Sequence, residues 1–263
     1  MTDLLSTSSK RFNSIAGNYA TSEVHISSPT LARLQTLVPA IQSICDVASG
    51  AGHTGLSFAG VATRIVAVDP APNMLAQIRK LSAMRGVEVE TVEAFAESIP
   101  LATASFDLVV CRLAAHHFTD LHKAMTEMTR LAKSGGHVAI IDMEGDGHPP
   151  LDALNHDIEV MHDPTHVRSY TVTQWRQFFE ERMLEVVACE NRCWEIPSGL
   201  TVKRWCELGQ SGAEALQAIH DRLVAAPSDW LSQLEITRDA DGEFRIPVRT
   251  LLILGHKTSD LLD

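Results

Sequence analysis

The sequence predicts an α/β domain built on a mostly parallel sheet with helices on both faces. Three observations carry this expectation: short apolar runs of strand length, helical stripes between them, and a glycine cluster where the first run gives way to a helix. The 263 residues are 45% hydrophobic and 21% charged, the make-up of a globular chain able to bury a full core. No repeat or low-complexity linker divides it, so one elaborated domain over residues 1–263 is expected.

Residues 41–48 (IQSICDVA) form the first expected strand and run into Gly50-Ala51-Gly52, with a helix over 54–62. RIVAVD at 64–69 is β-branched and ends in Asp-Pro. Between 73 and 85, Met74, Leu75, Ile78, Leu81 and Met84 make a helical stripe. Residues 87–92 alternate apolar and acidic, as a half-exposed strand does, and FDLVVCRL at 106–113 has the length of a buried one. A helix over 121–131 follows, and Gly135-Gly136 then breaks into HVAIID. After Asp142 the character changes. Residues 134–167 hold no Lys or Arg, yet contain seven acids and five histidines. Pro149-Pro150 opens a helix over 151–161. A second helix over 172–183 precedes a strand at 184–189. Two or three helices are expected between 200 and 234, then a turn at Asp241-Gly242 and a closing strand over 244–254.

The net charge is −11, and nearly all the excess acid lies beyond residue 100. Nucleic-acid affinity comes largely from Lys and Arg displacing counterions, so nucleic acid is an unsuitable partner. Small molecules and proteins remain. The start, MTDLLSTSSKRF, lacks the apolar stretch of a signal peptide, and no run of about 18 apolar residues could span a membrane. The five cysteines form no CxxC pair. A reduced, cytoplasmic protein with no membrane partner is the resulting expectation, its oligomeric state open.

Gly50-Ala51-Gly52-His53-Thr54-Gly55 satisfies GxGxxG between strand and helix, nominally a dinucleotide signature. Asp69, 19 residues after Gly50, suits the ribose of NAD or of another nucleoside equally well. Asp46 separates the two cases. A carboxylate at the mouth of the loop would repel a pyrophosphate, but it suits a cofactor carrying an ammonium and a sulfonium. The glycines then serve close backbone approach.

DVASGAG, VAVDPAPNML, AFAESIPLATASFDLVVCRLAAHHF and GGHVAIID resemble, in this order, the class I S-adenosylmethionine (SAM)-dependent methyltransferases. The group related to ubiquinone/menaquinone-biosynthesis methyltransferases is the nearest in flavour. The resemblance covers 40–145, and more loosely RFNSIAGNYATSEVH and DPTHVRSYT. It implies a Rossmann-like seven-stranded sheet with a SAM-binding core at 40–145. N-terminal lid helices at 1–38 and a substrate-roofing helical insert with closing strands at 146–263 complete it. The implied activity is methyl transfer from SAM to a small organic acceptor. The alternative is a protein of this fold that binds SAM or its product without methyl transfer, as a binding module or rearrangement catalyst.

By the same resemblance Asp46, Ala48, Gly50 and Gly52 lie under the methionine part of SAM. Asp69, with Pro70 beside it, accepts the ribose hydroxyls, and Met74 packs beside the adenine. Phe95 and Ala96 stand where relatives often carry Asp-Ala, so Glu97 or backbone must receive the adenine amino group. Arg112 offers its carbonyl to the methionine ammonium. Blander readings stand beside these: Asp69 as a helix cap, Met74 as core, and Arg112 as a surface side chain whose backbone alone matters.

On the acceptor side, His116 and His117 end the fourth strand. An extended chain would point only one of them into a pocket, and His117 is the expected base, with His116 in the substrate wall. Asp163, His166 and Arg168 offer an acceptor, a second proton carrier and a bidentate anion binder, with Tyr170 beside them. The other reading of this trio is an internal Asp163–Arg168 salt bridge. Tyr19 and His25 belong to the lid, anchored by Phe12, and face the substrate. Asp142, Glu144, Asp146 and His148 alternate in a pattern that suits a divalent metal or a solvated acidic loop alike; no metal is assigned.

Overall fold

The computed structural model describes residues 2–26 and 28–258. Helices α1 (Thr2–Ala20), α2 (Glu23–Ile26) and α3 (Pro29–Leu37) precede the first strand. Strand and helix then alternate as expected: β1 (Ser43–Val47), α4 (His53–Ser57), β2 (Arg64–Val68), α5 (Pro72–Arg85), β3 (Glu90–Val92), β4 (Phe106–Arg112), α6 (Leu121–Leu131) and β5 (Ala132–Met143). The remainder is α7 (Pro149–His162), α8 (Val172–Glu180), β6 (Leu184–Trp194), β7 (Leu200–Thr201), α9 (Val202–Gly209), α10 (Gly212–Val224), α11 (Ser228–Gln233), β8 (Thr237–Arg238), β9 (Phe244–Ile246) and β10 (Arg249–Lys257).

Seven strands form one sheet in the order β3-β2-β1-β4-β5-β10-β6. It is parallel except for β10, which runs antiparallel to both neighbours. Strand periodicity sorts the side chains between two cores. Cys45, Val47, Val109, Cys111, Leu251 and Ile253 face α6 and α8, against Met125, Met128, Trp175 and Phe179. Ile44, Leu108, Val110, Leu252 and Leu254 face the other way, against Leu31, Leu34 and Phe58. The strand order reverses at β1/β4, which opens a crevice at the carboxyl ends of the central strands.

Three expectations about elements change. The helix after the glycines is only α4, because the chain turns at Phe58, whose ring is buried under the sheet. The closing strand is two strands: Pro247 cannot donate to a ladder, and the chain there leaves a small β7-β9-β8 sheet and enters β10. Within 1–38, Leu31 and Leu34 of α3 are core residues of the sheet, so only α1 and α2 overlie the crevice.

Candidate active site

After β1, the chain passes through Ala48 (φ 53°), Gly50 (φ 53°) and Gly52 (φ 83°), all left-handed. Gly52 has a second constraint, since a Cβ there would stand 2.7 Å from Cγ1 of Ile78. The loop therefore lies close on α5, with the start of α4 beside it. Asp69, at the end of β2, fixes it from the side: Oδ2 accepts from Gly50 N (2.8 Å) and Oδ1 from Ala71 N (2.8 Å). Asp69 is thus a loop clamp; the residue capping α5 is Ala71, with no side-chain cap. Asp46 lies beneath, 1% exposed, with Oδ2 accepting from Gly55 N (2.8 Å). It does not line the cavity above, contrary to its expected place at the loop mouth. Burial pushes Asp46 up to about 7, against the Gly55 N–H and Arg112, and pushes Asp69 up to about 6.

Two cavities meet over this floor. The outer one, of ≈ 860 Å³, is lined by Ala48, Gly50, Asp69, Pro70, Met74, Phe95, Ala96, Glu97 and Arg112 among others. Gly52 lies just behind it. Met74 is 1% exposed and packs on Ala71, Ala16 and Phe12, so it is both core and cavity wall. Glu97 is partly spent, its Oε1 accepting from Thr119 N and Oγ1 (3.2 Å each). The Arg112 side chain is buried, not at the surface. Nε donates to Thr54 Oγ1 (2.9 Å) and Nη2 to the His25 carbonyl (2.8 Å). It ties the N-terminal cover to the core.

The inner cavity, of ≈ 850 Å³, shares Tyr19, His25, Leu113 and His117 with the outer one. His116 and His117 both line it, because they sit on a 3₁₀ turn, Ala115–His117, and not on an extended chain. Their rings are 4.1 Å apart. His116 Nδ1 bonds Asp142 Oδ1 (2.6 Å), and its backbone N–H donates to Oδ2 (2.8 Å). That contact leaves Nε2 as the free ring nitrogen. Burial lowers His116, but the charge and hydrogen bond of Asp142, with Glu159 and Asp163, raise it overall. His117 bonds the Thr165 carbonyl through Nδ1 (3.1 Å), and burial and His116 push it down to about 4. The sequence reading preferred His117 as base; the carboxylate partner stands behind His116.

α1 roofs both cavities. Ser9 donates to the Pro70 carbonyl (2.8 Å) on one side, and Arg11 to the Gly209 carbonyl (2.8 Å) on the other. Arg11 also pairs with Asp163 (2.9 Å). Phe12 meets Tyr19 and His117 edge-on, and Tyr19 meets His25 at 4.6 Å. Burial, with Asp163, raises the Tyr19 phenol, and burial, with Arg112 and His53, lowers His25.

His166 is 7% exposed with neither ring nitrogen partnered among the described residues, and it separates the inner cavity from an outer cleft. Arg168 lies in that cleft, exposed, over the Tyr170 ring. It neither pairs with Asp163 nor lines the inner cavity, since Arg11 already occupies Asp163. Tyr170 is turned away, edge-on to Trp175 and Phe178. The acid stretch is committed elsewhere: Asp142 to His116, Glu144 to Arg192 N, and Asp146 to His148 N. Among the described residues no group of His, Cys, Asp and Glu could hold a metal ion, and no helix is long and apolar enough to cross a membrane.

Residues 45–140 match the family described as a methyltransferase domain. The uncharacterized methyltransferase YcgJ of Bacillus subtilis is 29% identical over 216 residues, 81% of this chain and 84% of that one. Its crystal structure superposes with a TM-score of 0.77 at 28% identity, over 88% of this chain and 98% of that one. Residues 45–140 thus carry a methyltransferase domain, and the chain shares the fold of the class I methyltransferases. The demethylmenaquinone methyltransferase of Thermus thermophilus is 33% identical over 108 residues, spanning 40% of this chain and about half (49%) of that enzyme. The fold alone is shared with the [4+2]-cyclase SpnF, at a TM-score of 0.59 and 15% identity over 88% of this chain and 79% of that one.

Proposed function

We propose that this protein transfers a methyl group from SAM to a small organic acceptor, with SAM in the outer cavity and the acceptor in the inner one. One observation carries this reading: the two cavities share a wall at Leu113 and His117, and the inner one ends on a carboxylate-held histidine. The donor set of the outer cavity fits SAM. Gly50 has no heavy atom within 4 Å of where a Cβ would lie, so a ligand can press against the loop backbone. Asp69 keeps acceptor capacity for ribose hydroxyls beyond its two amide bonds. Met74, Phe95 and Ala96 offer apolar walls to a base, and Glu97 Oε2 or backbone would receive an amino group. Asp46 acts from below, holding α4 against the loop through the Gly55 N–H.

SAM brings a sulfonium methyl that leaves its sulfur as a neutral thioether. The chain must bring the acceptor close, keep water out and take a proton from it. α1 with Tyr19 and His25 closes the top. His116 is the base: Asp142 fixes its ring and stabilises the imidazolium that forms. His117, His166 and Tyr19 then orient the acceptor.

Release of S-adenosylhomocysteine (SAH) with a panel of small acceptors tests this. Turnover that falls about 10²-fold or more in Asp142→Asn, at unchanged SAH affinity, supports it. SAH binding with no methylation of any acceptor, in a protein that instead rearranges one, would establish the non-methylating reading.

A further inference from the structure

The inner cavity holds a carboxylate with no bonded partner; the imidazole that feels its charge, His116, is already bonded to Asp142. Glu159, on the inward face of α7, is 6% exposed, and its side chain makes no hydrogen bond or ion pair among the described residues. Two more carboxylates stand close by. Asp142 is held by His116, and Asp163 is held by Arg11 and Thr165. Arg11 is the cation on this side, and it is fully committed, also donating to the Gly209 and His162 carbonyls. The cation that an anionic ligand would need, Arg168, lies outside in the cleft. A buried carboxyl group costs several kcal/mol unless something pairs with it.

We propose that the acceptor is a small molecule with an apolar body and an ammonium group, the ammonium seated on Glu159 as an anchor while another atom takes the methyl group. The inference rests on the inner cavity being the acceptor side. Much of the remaining lining is apolar: Leu200, Leu208, Ile246 and Val248, with Trp205 stacked on His162 at 4.0 Å. An ammonium on Glu159 places the body of such a molecule against this lining. With Arg11 and His116 already taken by Asp163 and Asp142, no cation among the described residues is left on this side for a carboxylate or phosphate. Burial pushes Glu159 up to about 7, in keeping with a site that waits for a positive charge. A neutral hydroxyl could accept from or donate to Glu159, but it would leave the negative field of the cavity unanswered.

Three near-isosteric probes distinguish these cases: 3-phenylpropylamine, 3-phenylpropanol and 3-phenylpropionate, each titrated by calorimetry into the full chain saturated with SAH. The amine is expected to bind at least about tenfold tighter than either of the others, a preference of about 1.4 kcal/mol. In Glu159→Gln that preference disappears while SAH affinity stays within about twofold. The proposal is overturned if the alcohol or the carboxylate binds wild type as well as the amine does. It is also overturned if the preference survives in the variant, or if no probe binds at millimolar concentration. The wild-type comparison needs no variant. SAH binding, titrated separately, fails or succeeds independently of all three probes.

Discussion

The outer and inner cavities adjoin, but they are built in opposite ways. The floor of the outer one is backbone: a loop of left-handed residues at 48, 50 and 52, with Asp69 clamping its amides. Its parts lie within about thirty residues of sequence, and the strand-loop-helix geometry that makes them is local. The inner one is side chains from distant segments: Tyr19 and His25, His116 and His117, Glu159 to His166, Trp205, and the 246–248 link. What the difference teaches is where variation is tolerated. A backbone-built site survives most substitutions except at its few special positions, whereas a side-chain-built site changes chemistry with each residue.

The largest expected effect lies on the outer side. Asp69→Ala removes a carboxylate that holds the amides of Gly50 and Ala71 and is proposed to take the ribose, so SAH affinity should fall by about 2–4 kcal/mol in calorimetry. Unchanged affinity in a folded variant would break the assignment. Gly52→Ala meets both a left-handed φ and Ile78 at 2.7 Å. A loss of about 2–3 kcal/mol in chemical denaturation is expected, since left-handed backbone alone costs about 1–2 kcal/mol in other residues.

The inner side sharpens the comparison through pH. Folding raises Glu159 from 4.5 to about 7 because the carboxyl is buried. The native state thus holds a proton that the unfolded chain has released, and the wild type loses stability as pH rises from about 4.5 to about 7, then no further. Glu159→Gln has no such loss, so its advantage over wild type should grow across that window and level off about 3 kcal/mol higher. An advantage independent of pH would show that Glu159 is not buried as described. Arg11→Ala leaves Asp163 without its cation and should cost about 1–2 kcal/mol in thermal unfolding. Arg168→Lys, at an exposed position, should change stability and SAH affinity by less than about 0.5 kcal/mol.

The outer floor was legible in the sequence for the same reason that it is backbone-built. Strand, glycines and Asp69 are read in one stretch, and the alternation of β1 to β5 with helices follows from local patterning. The inner site was legible only in fragments. His116, His117 and His166 stood out as titratable residues, but Asp142 read as part of an acidic loop, and nothing local pairs it with a residue 26 positions away. Arg168 reads in the sequence as an anion binder for the substrate or as the partner of Asp163, with no other cation near it in sequence; Arg11, from the other end of the chain, takes Asp163 instead. The expectation that one histidine of the pair must point away assumed an extended chain where the structure has a 3₁₀ turn. Glu159 gave no signal at all, since its isolation is a property of the fold.

The account stands most directly on what the outer cavity binds. Calorimetric titration of the wild-type chain with SAH and, side by side, with NAD decides it. One SAH per chain with no measurable heat from NAD is the result predicted for a SAM site in the outer cavity. Binding of NAD in preference to SAH, or of neither, would contradict it.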